Sequence, residues 1–275
     1  MWGGLISEDW VLTAAHCIHG RDLNGIDVII GLNHRNQGQT ALHYSHVDQA
    51  IPHENHAGTT EFAESFDIAL LHLQDKAVGI PTLSLFNPNE NGGRFLEEIG
   101  SGLELSQNQV TIMGFGTTER VDVGLFTDNN QSFKKCSPDL VKTSLSMRMR
   151  QALIYYDKVS LFDSNGGGRG IGKGDSGGPA IFTYMNRSYL LGVCVLSTKT
   201  TPNLFSSTSY YFPWIQKMTG ITANSGTYNP NSTQPVQRSL TTLICSKMNT
   251  RESCDIKRAI CAWYSNTNEC KPRGS

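Results

Sequence analysis

The segment Gly174-Asp175-Ser176-Gly177-Gly178-Pro179 places a serine between glycines, just ahead of an apolar run. A serine hydroxyl is a weak nucleophile until a neighbouring base accepts its proton. Glycines around it let the backbone approach a substrate and point N–H groups at a developing oxyanion. Taken alone, the segment also fits an ordinary tight loop. The presence of a base elsewhere in the chain therefore decides between the two interpretations.

Two upstream segments supply the groups that a serine nucleophile requires. His16 follows Thr13-Ala14-Ala15 at the end of a predicted strand, and Asp67 opens the apolar run Ile68-Ala69-Leu70-Leu71. An imidazole can accept the serine proton, and a carboxylate can hold the imidazole in the right tautomer. Separately, such a histidine is usually a packed or capping side chain, and such an aspartate is usually a turn residue. Their joint occurrence with Ser176, in this order, favours a nucleophilic serine site.

Further motifs around these segments complete a resemblance to a known family. Leu5-Ile6-Ser7 precedes Trp10-Val11-Leu12, Gly114-Phe115-Gly116 lies before the serine segment, and Phe205 to Ile215 form a closing run. Together they resemble the trypsin/chymotrypsin-like serine peptidase family over residues 1–221. The resemblance implies an all-β fold of two antiparallel β-barrel lobes. It also implies hydrolysis of peptide bonds through an acyl-enzyme intermediate, without a metal or an organic cofactor.

The resemblance assigns a role to each residue of the candidate site. It makes His16 the general base, Asp67 the group that orients it, and Ser176 the nucleophile. It places the oxyanion hole at the backbone N–H groups of Gly174 and Ser176. In the family, the hydroxyl of a Ser-Trp-Gly sequence supports the aspartate. Because Val195-Leu196-Ser197 stands at that position, we expect this hydroxyl to be lost.

The start of the chain departs from the resembled family. In the family, a freed N-terminal amine pairs with the aspartate before the nucleophile, here Asp175, and this pair sets the oxyanion loop. The residues that would carry this amine and the first strand of the N-terminal lobe do not precede Leu5 in this sequence. We therefore expect an N-terminally truncated fold, an Asp175 without this ammonium partner, a rearranged oxyanion loop, and little activity for the chain as written. The family partner of Cys17 would fall at Met1-Trp2, so we also expect Cys17 to be unpaired.

Three residues are candidates for the primary specificity pocket. The resemblance assigns the pocket floor to the position six residues before the nucleophile, which is Gly170, with Ile171 beside it and Asn203 at a pocket wall. None of the three is charged, and a buried cation without a counter-charge loses its hydration uncompensated. We therefore expect the pocket to accept a small or medium-sized uncharged side chain rather than Arg or Lys.

The composition excludes several classes of partner. The 275 residues carry 23 Lys and Arg against 24 Asp and Glu, a net charge of −1. This balance is too even for binding to nucleic acid or an anionic membrane by charge. The longest apolar stretch, Tyr189 to Leu196, is far shorter than the roughly 20 residues that span a bilayer. We expect a protein or peptide substrate, with no nucleic-acid partner and no membrane span.

Two other patterns are weaker hypotheses for a cofactor or a metal. Gly167 to Gly174 fits the start of a phosphate-binding loop, but a glycine ends it where Ser or Thr is needed, and Pro179 prevents a following helix. Four histidines suggest a metal site, but strand alternation would place the first two on opposite faces. We expect surface histidines and neither a metal nor a cofactor; these histidines are His43, His46, His53 and His56.

The C-terminal part of the chain predicts a linker and a small second module. Residues 222–238 are dense in Asn, Ser, Thr and Pro, which indicates a linker. Residues 239–275 lack the C-x-x-C pair that structural zinc sites favour, so we expect disulfides among their cysteines, with three connectivities open. The module resembles the plexin-semaphorin-integrin type of Cys-rich module, through which a protein partner can bind. Its cysteines are Cys245, Cys254, Cys261 and Cys270.

The compartment is indicated by the cysteines and by glycosylation motifs. The sequence does not open with a basic and then apolar secretory signal. However, N-x-S/T sequons begin at Asn130, Asn186 and Asn231. Together with the Cys-rich tail, they favour a secreted, extracellular glycoprotein.

Two function classes stay open at this point. The first is a serine endopeptidase, which the complete set of His16, Asp67 and Ser176 favours. The alternative is a non-catalytic peptidase homologue that acts as a binding or regulatory protein, with the tail recruiting the partner. The missing N-terminal segment favours this alternative for the chain as written.

Overall fold

The structure is a computed structural model that describes most of the chain. The acceptor asparagines of the three sequons, Asn130, Asn186 and Asn231, lie outside the described residues. Among the residues that are described, no helix is long and apolar enough to cross a membrane. The described residues are 2–22, 25–32, 34, 40–58, 66–87, 110–117, 141–147, 157–162, 170–184, 187–196, 203–228, 238–251, 254, 261–264 and 267–273.

Strands make up most of the regular structure, which confirms the predicted all-β class. In the described residues, helical structure consists of a 3₁₀ turn at Ala15–Cys17 and two short helices, α1 (Phe212–Thr219) and α2 (Leu240–Ser246). The strands are β1 (Gly4–Leu5), β2 (Trp10–Thr13), β3 (Asp27–Ile30), β4 (Thr40–Ala41), β5 (His43–Pro52), β6 (Ala69–Leu73), β7 (Val110–Gly114), β8 (Val141–Met147), β9 (Lys158–Phe162), β10 (Pro179–Tyr184), β11 (Arg187–Leu196), β12 (Asn203–Ser207), β13 (Arg238–Ser239), β14 (Cys261–Tyr264) and β15 (Glu269–Pro272).

The first lobe is a five-stranded antiparallel sheet. Its strand order is β1-β2-β6-β5-β3, so β1 and β3 form its two edges within the described residues. β2 and β6 lie next to each other and carry consecutive apolar side chains, among which Leu12 and Leu70 are fully buried. Successive residues of a strand point to opposite faces, and Val11-Leu12 and Ala69-Leu70-Leu71 are all buried, so both faces of the sheet are covered here.

The second lobe is a closed six-stranded barrel. Its strand order is β10-β11-β12-β9-β8-β7, and the neighbouring strands are antiparallel. Phe182, Leu161 and Phe205 fill its interior and are almost completely buried. Closure leaves this sheet without a free edge. The two lobes confirm the architecture that the resemblance predicts.

A shared hydrophobic cluster joins the lobes. Ile6 and Leu12 of the first lobe pack in one cluster with Leu190 and Val193 of the second. The α1 helix also packs into this cluster. The helix ends at Thr219 and is capped by Gly220, which adopts the left-handed conformation with a φ of +73°.

Residues 222–228, which the composition assigns to the linker, pack on the body of the peptidase-like unit. The Asn224 N–H donates to the Leu85 carbonyl at 3.0 Å, and the Tyr228 N–H donates to the Thr82 carbonyl at 2.8 Å. Gly226 lies against the backbone at Ser84, where an added Cβ would overlap main-chain atoms. This polar segment is therefore ordered, because its backbone N–H groups form hydrogen bonds with the 82–85 segment of the same chain.

The tail module is closed by two disulfides and rests on the first lobe. Cys245 is bonded to Cys261, and Cys254 is bonded to Cys270, which selects one of the three connectivities. The module is joined to the first lobe by pairing of β13 with β4. In addition, side chains of α2 pack in one cluster with Tyr44 of β5. Cys17 is a free thiol, as expected.

Candidate active site

The strand register of the first lobe brings His16 and Asp67 together. Thr13 of β2 lies opposite Ala69 of β6 in the antiparallel sheet. His16 follows on the 3₁₀ turn after β2, and Asp67 lies two residues before β6 begins at Ala69. Antiparallel pairing places the end of one strand beside the start of the other. The two side chains are therefore neighbours although they are 51 residues apart in sequence.

The two side chains form a buried, doubly hydrogen-bonded pair. Nδ1 of His16 lies 2.7 Å from Oδ2 of Asp67, and the His16 backbone N–H donates to Oδ1 at 2.9 Å. The Asp67 side chain is 0% exposed and the His16 side chain 7%. With Nδ1–H donated to the carboxylate, Nε2 is the nitrogen left to accept a proton.

The environment of His16 changes its proton affinity. Burial acts to lower the pKa of the imidazole, because it disfavours the charged form. The hydrogen bond and charge of Asp67 outweigh burial and raise the pKa above its ordinary value. The Cys17 sulfur, 3.5 Å from Nε2, is a second neighbour of the ring.

Ser206 supports Asp67 from the second lobe. Its buried hydroxyl donates to the Asp67 carbonyl oxygen at 2.6 Å. The sequence predicted loss of a supporting hydroxyl at Val195-Leu196-Ser197, and it missed this one on the neighbouring strand β12. The available signal was the run of hydroxyl residues from Ser206 to Ser209 directly after Leu204-Phe205, since a hydroxyl that becomes buried needs a hydrogen-bond partner.

The loop that carries Ser176 packs against the end of β2. The Trp2 N–H donates to the Ser176 carbonyl at 3.0 Å, and the Thr13 hydroxyl donates to the Trp2 carbonyl at 2.6 Å. Gly177, at φ +82°, lies so close to Thr13 that an added Cβ would overlap its hydroxyl. The serine loop therefore contacts the strand end that precedes His16. Within the described residues, no hydrogen bond joins the Ser176 hydroxyl to the imidazole, so that contact stays a prediction.

The second lobe fixes the other side of the serine loop. The Gly177 N–H donates to the Cys194 carbonyl, and the Cys194 N–H donates to the Gly178 carbonyl, both at 2.8 Å. Gly174 adopts φ +101°, which is accessible to glycine and strained for other residues. In the part of the chain that is described, no acceptor takes the N–H groups of Gly174 and Ser176. They are the two donors that the sequence assigns to an oxyanion hole.

Asp175 accepts hydrogen bonds from two backbone donors. The Gly116 N–H donates to Oδ1 at 2.7 Å, and the Gly172 N–H donates to Oδ2 at 2.8 Å. A Cβ on Gly114 or Gly116 would overlap the carboxylate, so both glycines are required for its position. The sequence predicted that Asp175 lacks an ammonium partner, and that prediction stays untested. Backbone N–H groups of Gly116 and Gly172 bind its carboxylate.

Comparison with known proteins agrees with this geometry. Residues 3–215 match the family model described as Trypsin. The chain belongs to the trypsin family. It is 30% identical to brachyurin of Leptuca pugilator over 237 residues, covering 80% of this chain and 88% of the relative. It is 28% identical to mast cell protease 8 of Mus musculus and to granzyme-like protein 2 of Rattus norvegicus, covering 78% of this chain and 76% of each relative.

In this trypsin-family chain, the three predicted pocket residues lie together. The Asn203 side chain accepts from the Ile171 N–H at 2.9 Å and donates through Nδ2 to the Leu161 carbonyl at 3.2 Å. An added Cβ on Gly170 would overlap Oδ1 of Asn203. The buried amide therefore fills the space beside Gly170 without adding a charge.

The histidine and cysteine clusters of this trypsin-family chain do not form a metal site in the described residues. His53 is buried and stacks on Phe66 at 4.8 Å, so the prediction of a surface histidine is wrong at this position. The sulfurs of Cys245, Cys261 and Cys270 approach one another, but all three belong to the two disulfides.

Proposed function

We propose that the chain is a serine endopeptidase that hydrolyses peptide bonds through an acyl-enzyme. The observation that carries the proposal is the buried His16–Asp67 pair, with 2.7 Å between Nδ1 and Oδ2, beside the loop that bears Ser176. General-base activation of a serine requires an imidazole beside it and a buried carboxylate that fixes the imidazole.

The first half-reaction follows from these positions. Nε2 of His16 accepts the Ser176 proton as the serine oxygen attacks the carbonyl carbon of the substrate. Asp67 stabilises the imidazolium that forms, while remaining ionised. The N–H groups of Gly174 and Ser176 donate to the negatively charged oxygen of the tetrahedral intermediate. The imidazolium then protonates the leaving amine, and the acyl group stays on the serine.

The second half-reaction repeats this chemistry with water. His16 accepts a proton from a water molecule, whose oxygen attacks the acyl carbon. Collapse of the second tetrahedral intermediate returns the proton to Ser176 and releases the new carboxylate product. No group outside the protein and water is needed to balance either step.

The proposed substrate carries an uncharged side chain of small or medium size at the cleaved bond. The amide of Asn203 lies beside Gly170, and its Oδ1 is already used by the Ile171 N–H. A lysine or arginine side chain entering this region would lose hydration without meeting a carboxylate from these residues.

The proposal extends to the compartment and to the tail. Two disulfides in a short module favour an oxidising, extracellular environment, in which we place the protein as a secreted peptidase. The Cys-rich module is proposed to bind a protein partner.

The alternative function is a non-catalytic homologue that binds without cleaving. One contact favours it: the Cys17 sulfur lies 3.5 Å from Nε2 of His16, the nitrogen that would accept the serine proton.

The experiment that tests the proposal is hydrolysis of a fluorogenic peptide library by the purified chain. The sequence alone led us to expect little activity, but the Gly116 and Gly172 N–H groups bind Asp175 without an ammonium partner, so we now expect turnover. It should be lost in Ser176→Ala and retained in Ser225→Ala, a substitution at an exposed serine whose hydroxyl donates to the nearby Thr222 carbonyl. Absence of turnover in the unsubstituted chain, or equal turnover in Ser176→Ala, would contradict the proposal and favour the binding protein.

A further inference from the structure

A buried polar cluster lies behind the proposed catalytic aspartate, on the opposite lobe. Its members are Asp157, at the start of β9, Lys158 and Tyr211, each at most 5% exposed. Oδ2 of Asp157 lies 2.6 Å from Nζ of Lys158 and accepts from the Tyr211 hydroxyl at 2.6 Å. Two buried groups therefore meet at one oxygen of a buried carboxylate, and nothing in the proposed mechanism uses these three residues.

The cluster holds the residue next to Asp67. The Phe66 N–H donates to the Tyr211 hydroxyl at 2.9 Å and to Oδ2 of Asp157 at 3.2 Å. Phe66 has a φ of +63°, a left-handed conformation that costs free energy in a residue other than glycine. Such a conformation persists only where surrounding contacts determine it. The two acceptors supply those contacts, one residue before the carboxylate that binds His16.

The charge of Asp157 is maintained by its neighbours. Burial acts to raise the pKa of this carboxyl, but the Lys158 ammonium and the Tyr211 hydroxyl outweigh burial and hold the pKa below its ordinary value. A carboxylate in this state is a strong acceptor for the Phe66 N–H.

The cluster also connects the two lobes. Asp67 and Phe66 belong to the first lobe, whereas Asp157 is fixed to β12 of the second lobe by the Ser207 N–H, which donates to its carbonyl at 2.8 Å. The residue beside it on β12, Ser206, donates to the Asp67 carbonyl. The segment before β6 is thus held from two adjacent strands of the lobe that carries the serine loop.

We propose that Asp157 and Tyr211 are positioning residues, which fix the Asp67 carboxylate, and through it the His16 imidazole, relative to the lobe that carries Ser176. The expected effect on kcat rests on the proposed function. The expected effect on the His16 pKa depends only on how His16 and Asp67 are held. Neither residue touches the substrate in this account; both act through the backbone of Phe66.

The test compares two variants with a matched control. Tyr211→Phe removes one hydroxyl, and the double variant Asp157→Asn with Lys158→Met removes the ion pair without leaving a buried charge. Tyr210→Phe is the control, because Tyr210 is the neighbouring residue and is 47% exposed. The readouts are the His16 pKa, from NMR titration of the imidazole nitrogens in the full chain, and kcat and KM for a peptide substrate.

We expect both test variants to lower the His16 pKa, because a looser Asp67 stabilises the imidazolium less. We also expect kcat to fall roughly 10- to 100-fold, as misplacement of a catalytic group by a fraction of an ångström does, with KM changed less than about twofold. Tyr210→Phe should match the unsubstituted chain in all three quantities.

An unchanged His16 pKa in folded Tyr211→Phe would overturn the proposal. Tyr211→Phe removes only one oxygen atom, so it still tests the proposal if the double variant fails to fold. If the unsubstituted chain shows no turnover, the proposed function fails, while the NMR titration still tests the positioning role. A lowered His16 pKa in that case supports the positioning role by itself.

Discussion

Thr13 on β2 is paired with Ala69 on β6, and the buried pair of His16 and Asp67 lies within three residues of these two positions. His16 lies three residues after Thr13, and Asp67 lies two residues before Ala69. The position of the imidazole against the carboxylate is therefore set by hydrogen-bonded backbone in the first lobe. Rigid strands place such groups more accurately than loops do.

The pH dependence of turnover should show the raised pKa of His16. Burial lowers this pKa and Asp67 raises it, with the net effect a raised value. The imidazolium, which cannot accept the serine proton, therefore persists to higher pH than for an ordinary histidine. We expect kcat/KM to rise with pH, with its acidic inflection above the ordinary value of about 6.5. A pH–rate profile of the free enzyme measures this, and an inflection below 6 would contradict the assignment of His16 as base.

Asn203→Asp should change the preferred substrate. The substitution places a carboxylate next to Gly170, where the amide now accepts from the Ile171 N–H. A lysine or arginine side chain would then gain a charged partner, so we expect kcat/KM for basic substrates to rise at least ~10-fold, or about 1.4 kcal/mol. Paired assays with lysine and leucine substrates measure the change. A preference for basic residues already present in the unsubstituted chain would show that the pocket is misassigned.

Gly114→Ala should disable the oxyanion loop without touching the dyad. Its Cβ would overlap Oδ1 of Asp175, so the carboxylate must move, and the Gly174 N–H moves with it. Loss of one oxyanion donor costs on the order of 10²- to 10³-fold in kcat. Gly25→Ala is the control, since an added Cβ there meets nothing. Equal kcat in the two variants would mean that Asp175 does not govern the loop.

Removing the Cys245–Cys261 disulfide should destabilise the tail and leave turnover intact. The bond closes a loop with a sequence separation of 16, for which the loss is about 3 kcal/mol. In the described residues, the module contacts the first lobe through β4 and Tyr44, not through His16, Asp67 or Ser176. We expect a double Cys→Ala variant to release the tail under limited proteolysis while kcat stays within about twofold. A parallel loss of kcat would show that the tail supports the site.

The sequence predicts the parts of the site that depend on local motifs. The segments at His16, Asp67 and Ser176 each carry their residue at the end or start of an apolar strand, and strand pairing then brings the first two together. The predicted pocket residues Gly170 and Asn203 are also in contact. Their places in the fold can be read from short, strongly patterned stretches, whereas their roles in catalysis and specificity stay predictions.

The sequence does not reveal the contacts that depend on tertiary packing. Ser206 and Asp157 reach the Asp67 segment from strands more than 90 residues away, with separations of 139 and 91 residues for the two hydrogen bonds involved. No local pattern encodes such pairs. His53 was predicted to lie at the surface, whereas tertiary packing against Phe66 buries it.

The most direct test of the proposed peptidase is labelling with a phosphonofluoridate probe, followed by intact mass measurement and peptide mapping. An activated serine displaces fluoride from phosphorus and retains the phosphonyl group, whereas an ordinary serine does not react. We predict one adduct per chain, located on Ser176 and absent in His16→Ala. No adduct, or an adduct on Ser176 that forms equally fast in His16→Ala, would contradict activation of this serine by the buried His16–Asp67 pair.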